Sequence, residues 1–449
     1  MTSKSLAPLQ LTPLMLALAG LFALPACSDD GATDDEVGED ETASEEEDET
    51  TDETTDGETT EDGETTETTE TTDEGEESTD TGEEKPGLGD TPNVLCEGAL
   101  FNLETIVAEN ASGDADGEAI AMAYEGTALQ EFVQWAGAVT GRVEDGVLID
   151  DAAIIAALDA GGPEDLIDVQ WQVYLVMHKF IRHEVGDIAA LVPDPANDPA
   201  LTYARWDDAW CYYDGALRSY AQAADAYGLT GDSIEADLDA GFELGHDGIE
   251  GEQPWAIDEW SVGAAKQQVE KTSFALAHRL VVQWTEMGIM NDDELALRNA
   301  YGAFQLIEDR MDTKNTPGIA IVEGALEAPP ASINFEGLVR ELNIAFVKRT
   351  RKYTDYALPD VAGLMGTAAG YAGAVEGATY SKLVEPFMID ALDGFDHEAY
   401  RETWAAWIQA VADDDVATGE TASAELTDWN CQYQAALGIA ECTSSIDEE

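Results

Sequence analysis

An all-α bundle is the fold class that this sequence predicts, and three observations predict it. From Asn93 onward apolar residues recur three and four apart in Ala-rich segments, runs of β-branched residues are few, and clusters of Pro or Gly separate one segment from the next. Strand-like alternation is nowhere sustained. Of the 449 residues, 95 are Asp or Glu and 20 are Lys or Arg, a formal charge of −75, which disfavours binding nucleic acid or an anionic surface through bulk charge. Residues 28 to 84 hold 29 acids and no base, leaving 66 acids against 19 bases, or −47, for residues 85 to 449.

The first 27 residues carry one early cation, Lys4, then an apolar run from Leu11 to Ala23, then Leu24-Pro25-Ala26-Cys27. That run suits a secretory signal and is shorter than a bilayer span. The LPAC ending resembles the bacterial lipoprotein signal. The resemblance implies a lipidated Cys27 at the mature N-terminus, anchorage in the bacterial cell envelope and, with Ser28 following, sorting to an outer membrane. Residues 28 to 90 are almost entirely Asp, Glu, Thr, Ser and Gly in repeated ETT units, too polar to offset the entropy of ordering. They read as a disordered acidic stalk reaching about 45 Å or more. Residues 91–449 read as a large all-α domain, with possible related halves at about 91–255 and 256–449.

Individual helices follow from their stripes. Between Glu164 and Val185, the residues Ile167, Trp171, Tyr174, Met177, His178 and Ile181 share one face. Val269, Ala277, Leu280, Trp284 and Met287 do so from about Asp258 to Gly288, and Phe335, Leu338, Val339, Leu342, Ala345 and Phe346 do so between Ile333 and Lys352. Val361 to Val375 is uncharged and rich in small residues, predicting a tightly packed central helix or one broken by glycines. Gly370, Gly373 and Gly377 follow no strand, so they read as packing positions and not as a phosphate loop. An internal echo sets His178–Arg182 against Ile344–Lys348 and Asp214-Gly215-Ala216 against Glu376-Gly377-Ala378, which would make Asp214 and Glu376 equivalent.

Besides Cys27 the chain has Cys96, Cys211, Cys431 and Cys442, an even count in an exported setting that allows three pairings. Proximity in sequence favours Cys431 with Cys442, and Cys211, amid aromatic residues, suits a buried free thiol. No CxxC, GxSxG or GxxxxGK[ST] occurs. His183-Glu184-Val185-Gly186-Asp187 departs from the zinc-protease pattern where a second histidine must stand.

Trp206-Asp207-Asp208-Ala209-Trp210-Cys211-Tyr212-Tyr213-Asp214-Gly215-Ala216 is the densest constellation. On a regular helix Asp207 and Asp214, seven apart, share a face beside aromatic walls, the way inward-projecting acids build metal sites in bundles. A solvated acidic face, with Arg218 pairing Asp214, is the competing expectation. Glu376 stands alone among apolar neighbours with Tyr380 one turn on, and a lone carboxylate there is costly unless protonated or coordinated. His178 is a further candidate ligand. Iron, manganese or calcium suits such an oxygen-rich set better than copper. Lys348, Arg349, Arg351 and Lys352 form the basic cluster and are candidates for holding an anion.

WDDAWCYYDGA, AGYAGAVEGATYSKLVEP, VYLVMHKFIRH and DWNCQYQAALG together resemble the iron-assimilating periplasmic proteins induced by low iron or high carbon dioxide, and their bacterial lipoprotein relatives. The resemblance covers roughly Asn93 to Glu441 and implies extracytoplasmic iron binding or delivery without turnover. The expected function is therefore a membrane-anchored lipoprotein binding iron or a related cation for uptake, with Asp207, Asp214, Glu376, Tyr380 and His178 as ligands inferred from helix faces. The alternative is a structural or interaction lipoprotein without a metal site.

Overall fold

The computed structural model describes residues 88–89, 91, 93–144, 146–192, 198–228, 232–250 and 257–444. The signal segment, Cys27 and nearly all of the stalk lie outside the described residues. Three helices open the fold: α1 (Val94–Ala111), α2 (Gly117–Tyr124) and α3 (Ala128–Val139). The only strand pairing among the described residues comes next, β1 (Val143–Glu144) antiparallel to β2 (Val147–Leu148). After it stand α4 (Ile149–Ala160), α5 (Pro163–Leu191) and α6 (Pro199–Tyr212), which runs into a π-helical turn at Tyr213–Leu217. α7 (Arg218–Tyr227), α8 (Ile234–Glu250), α9 (Glu259–Asn291), α10 (Glu294–Gln305) and α11 (Glu308–Leu326) continue the chain. It closes with α12 (Phe335–Lys352), α13 (Ala368–Ala391), α14 (His397–Ala412) and α15 (Val416–Ala436). The all-α expectation holds.

The acid-rich composition has a local role in this fold. The side chains of Asp116, Asp198, Asp258, Asp293, Asp396 and Asp415 each accept from backbone N–H groups in the first turn of a helix. Such caps contribute about 1 kcal/mol each and complement the positive end of the helix dipole.

α9 is the axis of the body. It packs against α5, α7, α8, α10, α12 and α13, and every residue from Val269 to Gln283 is buried. A helix wrapped on all sides is ordinarily apolar all round, yet this one carries Glu270, Lys271, His278 and Arg279 through the interior. Each polar group there requires a partner, and those partners define the candidate site.

α5 presents the predicted stripe: Ile167, Trp171, Tyr174, Met177, His178 and Ile181 are all buried. The uncharged stretch from Val361 is irregular as far as Thr367, which caps α13 through Gly370 N, so helix begins only at Ala368. The glycines of α13 are close-approach positions. A Cβ at Gly370 would lie 2.1 Å from the Leu364 carbonyl oxygen, and one at Gly377 would lie 2.5 Å from Tyr353 Cβ and 2.7 Å from the Trp404 ring. Two disulfides staple the body, Cys431–Cys442 and Cys96–Cys211. The second corrects the expectation of a free thiol at Cys211. Its partner lies 115 residues away, and the helical stripe that placed Cys211 among aromatic residues carries no information about α1.

Candidate functional site

The π turn decides the fate of the Asp207–Asp214 pair. An i→i+5 turn accommodates one more residue than a regular turn and rotates the residues beyond it by roughly 100°. Asp207, before it, is buried, while Asp214, within it, is exposed. The two therefore do not share a face. Asp207 accepts hydrogen bonds from Gly89 N at 3.1 Å, Thr91 N at 3.3 Å and Thr91 Oγ1 at 2.5 Å. Burial pushes its carboxyl up, and the bonds from Thr91 and Gly89 pull the other way. Asp208 accepts from Asn93 Nδ2, and Cys211 holds Cys96. These three residues of α6 thus fasten Gly89, Thr91, Asn93 and Cys96. Asp214 pairs with Arg218 at 2.6 Å, and Arg218 also reaches Glu235 and Asp239.

Glu376, Tyr380 and His178 do come to one place, the middle of α9. Lys271 Nζ lies 3.1 Å from Glu376 and 2.7 Å from Glu270. Glu270 also meets Lys266 at 3.0 Å, Arg182 at 3.4 Å and Arg310 at 4.0 Å. Burial raises the Glu270 carboxyl, but Lys266, Lys271, Arg182 and Arg310 outweigh it and hold the group well below the usual carboxylate range. Asp309, 2.8 Å from Arg182, is likewise depressed: burial is opposed by Arg182 and then Arg310.

Two aromatic rings floor this layer. Tyr380 stacks on Phe274 with centroids 6.3 Å apart and planes 8° from parallel. Arg182 lies 4.7 Å, Arg310 5.2 Å and Lys271 5.7 Å from the centre of Phe274; Lys271 at 5.5 Å and Arg349 at 5.8 Å flank Tyr380. His178 packs edge-on against Phe274 and shares a 2.9 Å hydrogen bond between its Nε2 and Ser273 Oγ. Burial, with Arg182 adding to it, pushes that imidazole down to about 3, so it is neutral at physiological pH. Burial also raises the Tyr380 phenol, keeping it protonated. The layer thus holds four positive groups, Arg182, Lys271, Arg310 and Arg349, against the carboxylates of Glu270, Asp309 and Glu376.

Among the described residues, no group of three or more His, Cys, Asp or Glu is arranged to hold a metal ion. The five expected ligands are thus split. Asp207 fastens the incoming chain, Asp214 forms a surface ion pair, and the other three border a layer already furnished with Lys and Arg.

The predicted anion cluster is dispersed by the 100° step of α12. Arg351 pairs with Asp355 at 2.8 Å, Lys352 sits over the Tyr353 ring, and Lys348 is buried separately. Only Arg349 joins the central layer, where it donates to the Arg310 carbonyl at 3.2 Å and to Thr313. Sequence reasoning missed Arg182, Glu270, Lys271 and Arg310. The available signal was Lys266, Glu270 and Lys271 standing inside an apolar helix with no nearby end to explain them. Glu184, from the zinc-like segment, is buried and bonded to Arg205 at 2.8 Å and 3.1 Å, a structural ion pair.

A separate cleft of about 650 Å³ lies where the start of α5 meets the α9–α10 junction, lined by Glu164, Asp165, Asp292, Asp293 and Glu294. Two of these acids are already engaged, Asp165 with Gly162 N at 2.9 Å and Asp293 as the cap of α10. No described helix is long and apolar enough to cross a membrane. No protein-family model, curated protein or solved structure matches the chain.

Proposed function

We propose that the chain is a lipid-tethered, extracytoplasmic helical module of the bacterial cell envelope, acting by interaction and without turnover, and holding no bare metal ion. One observation carries this reading. The motif richest in candidate ligands is spent on fastening residues 89 to 96 to α6, through Asp207, Asp208 and the Cys96–Cys211 bond. That fastening sits where an acidic stalk anchored at Cys27 would join the body, which suits a domain held out from a membrane. Titration of the full chain with iron tests it. Expected is weak, nonstoichiometric uptake that about 0.5 M salt removes and that a stalk peptide reproduces. Saturable uptake at a defined stoichiometry would overturn it.

Iron assimilation, the function implied by the resemblance to the low-iron-induced periplasmic proteins, is the second reading. It is favoured by the meeting of Glu376, Tyr380, His178 and Glu270 around Lys271 and Phe274. Under it, stoichiometric iron binding disappears in Glu376→Gln and survives in Asp214→Ala.

A further inference from the structure

We propose that the layer around Phe274 and Tyr380 is a binding site for a small oxyanion. Three features converge there. Arg182, Lys271, Arg310 and Arg349, contributed by α5, α9, α11 and α12, are all at least nine-tenths buried and all lie within 5.8 Å of one of two stacked rings. Charges are costly to bury, and these four cations outnumber the three carboxylates, Glu270, Asp309 and Glu376, that lie among them. The second feature is an orphan donor. The Tyr380 hydroxyl is fully buried and finds no hydrogen-bond partner among the described residues, and neither does the Nδ1 of His178 on the neighbouring side of Phe274. Buried polar groups are nearly always bonded, so a phenol left with an unused O–H beside Lys271 and Arg349 is a donor for a negatively charged acceptor.

The third feature is the edge of the layer. Asp309 is 33 % exposed and Lys266 is 21 % exposed, while Glu270, which Lys266 touches, is 6 % exposed. Partly exposed side chains thus border the layer at the start of α11 and on α9. Glu270 illustrates the preference of the site, since its carboxylate is met by Lys266, Lys271 and Arg182 within 3.4 Å. An oxyanion with two or more oxygens offers a second such group, able to accept from the Tyr380 O–H beside the charges of Lys271 and Arg349. Free inorganic oxyanions and the carboxylates of a small organic chelator share this chemistry.

The test is calorimetric titration of the full chain with inorganic phosphate and, separately, with citrate, each against sodium chloride of equal ionic strength. Saturable binding near one per chain is expected for at least one of them, with a rise in Tm that chloride does not give. Phosphate alone points to a free inorganic anion, and citrate alone to a chelator carboxylate. Lys271→Met is expected to weaken binding at least tenfold. Should that variant not fold, Tyr380→Phe preserves the ring and is expected to weaken binding roughly tenfold, the loss of one hydrogen bond to a charged acceptor, with the Tm of the unliganded chain unchanged or raised. No saturable heat with either anion at millimolar concentration, or binding that Tyr380→Phe leaves untouched, overturns the proposal. The iron titration is a separate measurement, so either result stands alone.

Discussion

Removing the Cys96–Cys211 bond is expected to cost more than removing Cys431–Cys442, and the difference comes from loop length. The first joins residues separated by 115 in sequence and the second by 11. On the chain-entropy description, closing those loops restricts the unfolded chain by about 4.8 and about 2.8 kcal/mol at 25 °C, respectively. A body of about 350 residues unfolds with an entropy near 0.7 kcal/mol/K, so the two losses correspond to Tm decreases of roughly 6–7 °C and 4 °C. The assay is thermal unfolding by circular dichroism of Cys96→Ala/Cys211→Ala and of Cys431→Ala/Cys442→Ala, with reduced wild type as a control free of substitution. Cys96 is fully buried, so its truncation adds a packing loss of its own that reduction does not. The reasoning fails if the short-loop variant loses as much Tm as the long-loop one, or if reduction leaves Tm unchanged while both thiols are shown to be free.

The two aspartates of the densest motif are also expected to differ. Asp207→Ala removes the acceptor for Gly89 N, Thr91 N and Thr91 Oγ1 and is expected to destabilise by about 2–3 kcal/mol, whereas Asp214→Ala, an exposed ion pair, is expected within about 1 kcal/mol of wild type in urea unfolding. Equal effects would count against the fastening role of Asp207. His278 supplies a pH dependence. Burial pushes its imidazole down to about 4 while the unfolded chain titrates near 6.5, so the unfolded state binds the extra proton between these values. Its contribution is complete above about pH 6.5 and is lost as pH falls toward 4, on the order of 3 kcal/mol in all. Acid also relieves the self-repulsion of the acidic surface, so the comparison is of urea midpoints at pH 7.5 and 4.5 in wild type against His278→Gln, whose amide can still donate to Asn343 Oδ1. A variant as acid-sensitive as wild type would refute the assignment.

Helix class and helix faces were legible because they rest on spacing within one segment. The α5 stripe from Ile167 to Ile181 is buried, as are Leu338, Leu342, Ala345 and Phe346 of α12, while Phe335 and Val339, with Trp284 and Met287 of α9, are half-buried at the edges of their stripes. The Asp207–Asp214 face was illegible because a π turn begins between them, and a turn of that kind reflects how α6 and α7 meet their neighbours, not the propensities of Tyr213 or Gly215. The Cys96–Cys211 pairing and the central charge layer failed for a related reason. Arg182, Glu270, Arg310, Arg349 and Glu376 come from five helices, and each helix taken alone offers only a charged residue whose exposure is unknown. Glu376 was read as an isolated carboxylate needing protonation or coordination, and the group that meets it is the ammonium of Lys271, already in the chain.

A chain with 95 acids and 20 bases gains most solubility by leaving its bases outside among the acids, and surface pairs formed that way contribute little. This chain instead places Arg182, Lys271, Arg310 and Arg349 inside. Cations so placed are offset by Glu270, Asp309 and Glu376 at close range, and more weakly by the acidic shell at long range. The arrangement is selective in a definite direction. On the proposal of an internal anion site, cations are held only loosely at the exterior, where salt screens them within about 8 Å, while the excess of buried positive groups over Glu270, Asp309 and Glu376 favours a small anion inside. An acidic coat over a basic centre therefore opposes non-specific capture of anions at the surface while favouring a small one inside. Substitutions at Arg349 or Tyr380 should accordingly leave the salt-sensitive uptake of metal cations by the surface unchanged.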